Sequence, residues 1–535
     1  MHEGVSPASF PAKVRHGTVP VALPRRSLSE LACALQLSFV SETPSIKRAF
    51  LWSAIDRFGQ MGLQFIMGIV MARLLTPSDF GLVGMLAVFF GVALVMEDSG
   101  FGSALIQRKE ITAEDKTSVF WLNVSSGVVL TLLLCAISPA VAVFFRQPVL
   151  KLLLCALSLQ LFIQSFSLVQ VALLARKLDF RTAAIVNTWA TLVSGGIGIG
   201  SAVMGCGVWS LVFQKLSSSL FRTTGFWLLA PWRPRGRFSS RSIRSLWTYS
   251  SNLLASGLLD SVFTNIYNAI FGRLGTVQTV GQFTTANQLQ QGGAAMTTSV
   301  IGSVMFSQFS RHQENKEELK TQFRRTVRIL ACFHFPMMAG LSACAHTLVL
   351  CLFAEKWEGS VPFLRILSFV GMLYPLHALH LSVLKAQGRS DLHFRLEMIK
   401  IGMVLLMLTL TWQLGIMAIT LGILIHSVLA LAVNGYYTRR LLCYNWLEQV
   451  ADLMPACGVS LLAVLPAALA DQWTGSMPWS RLTGQIFVII AVYGIAVLLL
   501  RNSVLSDAAA TMRVLWKHVR GRVHWIWAIT LPTKT

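Results

Sequence analysis

The side chains able to do chemistry in this chain lie inside its apolar stretches, and they recur at helical spacing. Ser53, Asp56, Gln60 and Gln64 follow one another at intervals of three and four, which sets them along one face of a helix. Asn252, Ser256, Asp260, Thr264 and Asn268 repeat at intervals of four, with Asn265 beside them. A third group, Asn287, Gln290 and Gln291, sits in the next apolar stretch with Gln288, Gly292, Gly293, Thr297 and Thr298. Amides and hydroxyls in such numbers offer many neutral hydrogen-bond donors and acceptors. Two cations, Arg57 and Lys215, suit an anionic group. Each falls roughly 12 Å into its stretch by helical rise, so snorkelling to the interface is the alternative for both. Asp56 and Asp260 are the carboxylates available to carry a coupling proton or a cation such as Na+, or to pair with nearby donors. Facing lipid, such stripes would be costly, so a bundle interior or water-filled cavity is their expected setting.

The elements that hold these residues are membrane helices. The 535 residues are 54% hydrophobic and 13% charged, well below the roughly 25% charged of soluble chains. Fourteen apolar stretches run from 49–72 to 482–500, long enough at about 1.5 Å per residue to cross a hydrocarbon core of roughly 30 Å. The net charge of +22 is not a nucleic-acid signature, because its placement follows topology. Alternate loops hold Arg108, Lys109, Lys116, Arg176, Lys177, Arg181, the arginines of 233–244, the basic cluster of 311–328, Lys385, Arg389, Arg439 and Arg440. The other loops hold only Arg73, Arg146, Lys151, Arg273, Lys356, Arg365 and Arg481. The positive-inside rule then places both termini in the cytoplasm, with attraction to anionic headgroups besides.

A repeat divides the chain. Arg73, Leu74, Thr76 and Gly81 reappear 200 residues later as Arg273, Leu274, Thr276 and Gly281, and Gly102-Ser103 as Gly302-Ser303. Positions 56, 60 and 64 fall on 256, 260 and 264. Two halves that each open on a polar-striped helix match the pattern of a duplicated transporter.

Other polar residues have ordinary explanations. Gln160, Gln164 and Gln170 suit a cavity wall or interhelical hydrogen bonds. His377 and His380 share a helix face, where packing is the default and a metal pair the sharper alternative. Glu397 and Lys400 are spaced to pair with each other. The glycines at 195, 196, 198 and 200 favour close helix packing, and Pro336 a kink. Nine scattered cysteines contain no CxxC pair, so neither zinc nor a disulfide framework is indicated. No Walker A, HExxH or GxSxG pattern occurs, which leaves no P-loop hydrolysis and no recognisable catalytic centre. Residues 1–48 read as a tail rather than a signal peptide, with a short interfacial helix suggested at 27–40.

The stretches Arg73-Leu74-Leu75-Thr76-Pro77-Ser78-Asp79-Phe80-Gly81, Asp98-Ser99-Gly100-Phe101-Gly102-Ser103-Ala104-Leu105-Ile106-Gln107 and Ala175-Arg176-Lys177-Leu178-Asp179-Phe180-Arg181 resemble the polysaccharide-export branch of the MOP flippase superfamily. They are similar to Wzx-type flippases of colanic acid, exopolysaccharide and lipopolysaccharide biosynthesis. The resemblance covers about 48–500. It implies an all-α integral membrane fold of about fourteen transmembrane helices, MATE/MOP-like, with two pseudo-symmetric six-helix lobes and a C-terminal helix pair. The expected parts are a cytoplasmic tail (1–48), an N-lobe (49–230), a cytoplasmic linker (231–246), a C-lobe (247–442), a helix pair (443–501) and a cytoplasmic tail (502–535). The implied activity is translocation of an undecaprenyl-pyrophosphate-linked oligosaccharide across the bacterial inner membrane by alternating access. It needs no cofactor beyond H+ or Na+ coupling, and its partners are that lipid-linked sugar, membrane lipids, and a polymerase and export machinery, with no nucleic acid. A MATE-type drug or cation antiporter, a lipid-linked sugar polymerase or ligase, and a scaffold for an export complex are the alternatives.

Overall fold

The computed structural model describes residues 44–311, 315–387, 390–470 and 478–499. The tails, including the helix expected at 27–40, lie outside the described residues. The first lobe comprises α1 (Pro44–Leu74), α2 (Pro77–Met85), α3 (Ala87–Asp98), α4 (Phe101–Gln107), α5 (Ala113–Phe145), α6 (Val149–Ser165), α7 (Leu168–Arg176), α8 (Phe180–Val203) and α9 (Trp209–Leu229). The second comprises α10 (Ser240–Leu274), α11 (Val277–Arg311), α12 (Lys316–Ala343), α13 (Ala345–Phe353), a 3-10 turn (Glu355–Ser360), α14 (Val361–Ala386), α15 (Ser390–Thr411) and α16 (Ile416–Leu442). The pair α17 (Trp446–Ala470) and α18 (Pro478–Leu499) follows.

Helices cover all fourteen apolar stretches, but the count of spans is lower on length and composition. Among the described residues nine helices qualify to cross a membrane, or ten if α6 and α7, bent by 44° at their junction, make one span. Those falling short include α1, α9, α10 and α11. These carry the polar stripes and Lys215, so the residues that mark a hydrated interior are the ones that lower their hydropathy. Pro336, where a kink is expected, lies inside α12, which runs on to Ala343 before α13 starts at Ala345.

The repeat is visible as geometry. The first helix of each half ends at Leu74 or Leu274, and the next begins at Pro77 or Val277. Thr76 caps α2: its Oγ1 accepts from Asp79 N at 3.4 Å, while Asp79 Oδ2 accepts from Thr76 N at 2.9 Å, a capping box. Thr276 does the same more simply, accepting from Thr279 N at 3.2 Å. The paired glycines mark where α2 and α11 cross. A Cβ on Gly81 would run into the Val277 carbonyl, and one on Gly281 into the Pro77 carbonyl. Only glycine permits that backbone approach from both sides.

The lobes are fastened at the arginine-poor end. Trp357, fully buried, donates from Nε1 to the Ala72 carbonyl at 2.9 Å and meets Phe80 edge to face with centroids 5.2 Å apart. Lys356 donates to the Arg73 carbonyl at 2.6 Å. Arg73 answers through Nε to the Leu352 carbonyl at 2.8 Å and through its guanidinium to the Cys351 carbonyl. The core there is continuous across both halves, joining Ala72, Met85 and Phe145 to Phe271, Phe283 and Trp357. Deeper in, α10 lies along α3, with Gly91 against Ser261 and Asn265, and Gly257 against Val95.

The C-terminal pair is held by a buried carboxylate. Asp452 on α17 accepts from Arg324 Nε at 2.7 Å, Arg328 Nε at 2.9 Å and the Tyr444 hydroxyl at 2.7 Å. Removing one member of such a cluster leaves charge buried and unpaired, a loss of about 3–5 kcal/mol. Asp452→Asn is therefore expected to lower the thermal unfolding midpoint in detergent by several degrees, whereas an unchanged midpoint would show both guanidinium groups reaching water.

Candidate functional site

The stripe on α1 divides between two settings. Asp56 and Gln60 turn onto α8: Asn187 Nδ2 donates to Asp56 Oδ1 at 3.3 Å, and Thr191 Oγ1 donates to Gln60 Oε1 at 2.7 Å. Arg57 and Gln64, seven residues apart and so on one face, are exposed, and neither has a side-chain hydrogen bond or ion pair among the described residues. Met67, one turn on, packs over Gly195 of α8, and Gly198 takes the Gln214 side chain of α9. Two of the four glycines of 195–200 thus serve close packing, while Gly196 and Gly200 border open space.

On α9, which packs against α8 and α6, Lys215 has an exposed side chain. Arg222, two turns further on the same face, shares that character and lies within electrostatic range of Asp56. Its guanidinium also sits 5.9 Å from the Phe226 ring centroid. Arg222 was not among the residues expected from the sequence. The available signal was its seven-residue spacing from Lys215 with Ser218 between them, two cations and a hydroxyl on one helical face.

On α10, Ser256, Asp260 and Thr264 form an exposed row. Asp260 is within electrostatic range of Glu397 on α15 and Tyr374 on α14. Asn252 occupies the same helix, its side chain outside the described residues. Asn265 and Asn268 are not brought to this row. Asn265 donates to the Ser261 carbonyl at 3.0 Å against α3, and Asn268 is buried, accepting from Thr284 Oγ1 at 3.4 Å. On α11, Gln291 is exposed and donates to Asn287 Oδ1 at 3.3 Å. Gln290 is buried with its amide against Gly371 of α14. An α-helix turns 100° per residue, so neighbouring amides on it meet different surroundings.

Several other polar groups are engaged elsewhere. Glu397 and Lys400 form the expected pair at 3.0 Å. His377 bonds Ser427 Oγ at 3.2 Å and Asn434 Nδ2 at 2.9 Å, and His380 bonds Thr438 Oγ1 at 2.8 Å, the packing role. Gln164 donates to Glu97 Oε2 at 2.6 Å. The arrangement places two exposed cations on α9 and Arg57 on α1 in the first half, and a row of two hydroxyls with one carboxylate on α10 in the second. It can hold a flexible, hydrogen-bonding solute that carries negative charge.

The profile of the family described as "Polysaccharide biosynthesis protein" matches residues 70–362, more than half of the chain. The chain belongs to that family. Curated relatives of this polysaccharide biosynthesis protein include "Lipopolysaccharide biosynthesis protein WzxC" of Escherichia coli (strain K12), 26% identical over 385 residues that cover 71% of this chain and 77% of the relative. Another is "Succinoglycan biosynthesis transport protein ExoT" of Rhizobium meliloti (strain 1021), 25% identical over 76% of this chain and 80% of the relative. Among solved structures, the lipid II flippase MurJ in an inward closed conformation superimposes with a TM-score of 0.68 at 13% identity, covering 84% of this chain and 98% of MurJ. At that identity the match speaks for the fold alone: this family member shares the all-helical fold of MurJ.

Proposed function

We propose that this protein moves an undecaprenyl-pyrophosphate-linked oligosaccharide repeat unit from the cytoplasmic to the periplasmic leaflet of the inner membrane, for exopolysaccharide or lipopolysaccharide assembly. The observation that carries the reading is the pair Lys215 and Arg222, two exposed cations on one face of α9, with Arg222 in electrostatic range of Asp56. A pyrophosphate requires fixed positive charge where water is scarce, and guanidinium and ammonium groups supply it through charge-assisted hydrogen bonds. The sugars require neutral donors and acceptors, which Gln64, Ser256, Thr264, Asn287 and Gln291 offer. A relative named as a transport protein in succinoglycan biosynthesis and a fold shared with a lipid II flippase support the same substrate class. A cationic-drug antiporter would favour carboxylates at those positions.

In this reading the basic face is cytoplasmic, following the positive-inside rule, and the fastening around Trp357 closes the periplasmic side until the lobes rock apart. The protein performs no covalent chemistry, and a polymerase with its export machinery takes up the product. Asp260 is the coupling carboxylate, with Glu397 and Tyr374 beside it. The test is flipping of a matched lipid-pyrophosphate oligosaccharide in proteoliposomes. Protein-dependent flipping is expected, and its absence would favour the drug antiporter. Asp260→Asn is expected to remove any dependence of the rate on an imposed H+ or Na+ gradient; a rate indifferent to both gradients in the unmodified protein would remove the coupling role.

A further inference from the structure

The basic face holds a pocket that the translocation reading does not use. It lies between the first turn of α5, the end of α7 and the segment after α9, has a volume of about 70 Å3, and is lined by Lys116, Gln170, Leu173, Lys177, Pro231 and Trp232 among others. Gln170 is its most informative residue. It is fully buried, and neither its Nε2 nor its Oε1 has a hydrogen-bond partner among the described residues. A buried amide left unsatisfied is costly, so its setting calls for an occupant that both accepts and donates.

The charge around it is uncommitted. The ammonium groups of Lys116 and Lys177 form no ion pair among the described residues. Two acidic neighbours in sequence, Asp115 and Asp179, are taken: Asp115 accepts from Thr112 N at 3.0 Å and lies 3.7 Å from Arg108, while Asp179 accepts from Thr182 Oγ1 at 2.8 Å. The walls are built rather than incidental. Arg233 donates to the carbonyls of Ala230 at 2.6 Å and Trp232 at 2.7 Å, and also to that of Trp227. Arg176 fixes the opposite side through the carbonyls of Leu105 at 2.8 Å and Lys109 at 2.6 Å. Trp232 is wedged edge to face against Phe120 with centroids 5.9 Å apart. Leu178, next to Lys177, is 48% exposed and Leu228, two residues before Ala230, is 76% exposed, apolar surface appropriate to the level where headgroups give way to acyl chains.

We propose that this pocket binds the headgroup of an anionic glycerophospholipid. Its phosphodiester sits between Lys116 and Lys177 and accepts from Gln170 Nε2, while a headgroup hydroxyl donates to Gln170 Oε1. A zwitterionic headgroup would bring an ammonium toward two lysines, so phosphatidylglycerol is preferred to phosphatidylethanolamine. Inorganic phosphate shares the polar chemistry, but the exposed leucines favour a ligand with acyl chains. Because α5, α7 and the inter-lobe segment all contribute, the bound lipid braces the first lobe where the linker leaves it.

The test is native mass spectrometry of the full-length protein with phosphatidylglycerol, phosphatidylethanolamine and inorganic phosphate added separately. The unmodified protein is expected to retain one phosphatidylglycerol at least 10-fold more tightly than phosphatidylethanolamine. The double variant Lys116→Gln/Lys177→Gln, altered at the pocket rim where folding is least affected, is expected to lose that preference. Gln170→Met, which leaves net charge unchanged, is expected to weaken phosphatidylglycerol retention several-fold, separating a built site from general attraction to basic surface. Equal phosphatidylglycerol retention in both variants would overturn the proposal. So would inorganic phosphate binding as tightly as phosphatidylglycerol and being lost in the same variants.

Discussion

Gly281→Val is expected to reduce translocation at least 10-fold while leaving a folded, membrane-inserted protein. The Cβ would meet the Pro77 carbonyl and the Gly81 nitrogen, both backbone atoms fixed by the first turns of α2, so no rotamer change relieves the clash. Overpacking a fitted contact costs typically about 1–3 kcal/mol, and that cost falls on one arrangement of the lobes, the one in which α2 and α11 cross. Rigid-body transporters respond to such a bias by changing populations, and 1.4 kcal/mol is about tenfold in an equilibrium. Gly81→Val is expected to behave alike, since Gly81 faces the Val277 carbonyl across the same crossing. A single cysteine placed at Thr276 in a cysteine-free background reports the change. Its labelling by a membrane-impermeant thiol reagent from outside should rise in the valine variants. Unaltered labelling and transport would mean that the crossing is not part of the working cycle.

Lys215→Ala and Arg222→Ala are each expected to slow flipping of a pyrophosphate-linked sugar by about 10- to 100-fold. Hydrogen bonds to charged groups contribute about 1.5–3 kcal/mol, and each residue would supply such a bond to the pyrophosphate. Lys215→Arg should retain more activity than Lys215→Ala, because the charge is kept while the geometry changes. The readout is the initial rate in proteoliposomes, with the thermal midpoint in detergent as the check on folding. Both residues face accessible space, so the midpoint should move little. Rates unchanged in both alanine variants would place the pyrophosphate elsewhere.

Local features of the chain were readable in advance where the physics is local. Thr76 and Asp79 lie three residues apart and make the cap that starts α2. Glu397 and Lys400 are equally close and pair. The 200-residue offset announced two helices ending alike, and Leu74 and Leu274 end them. The stripe on α1 was harder. Its spacing grouped Asp56, Gln60 and Gln64, yet Asn187 and Thr191 arrive from α8, 131 residues away, and draw the first two aside. Gln290 and Gln291 looked equivalent until Gly371 opened a niche beneath one of them. Arg222 was not singled out in the sequence, and its proximity to Asp56 is what the tertiary packing adds. The Asp452 cluster joins side chains 124 and 128 residues apart, a pairing with no periodic signal.

By itself, then, the order of residues determined that this chain forms apolar helices in two related halves that each carry a polar face, because hydrophobic period, caps and charge placement act over a few residues at a time. The tertiary structure decided which of those polar faces meets a partner and which stays open. A helix dictates the side chains that share a face, while what lies opposite comes from segments distant in the chain and packed by shape and charge.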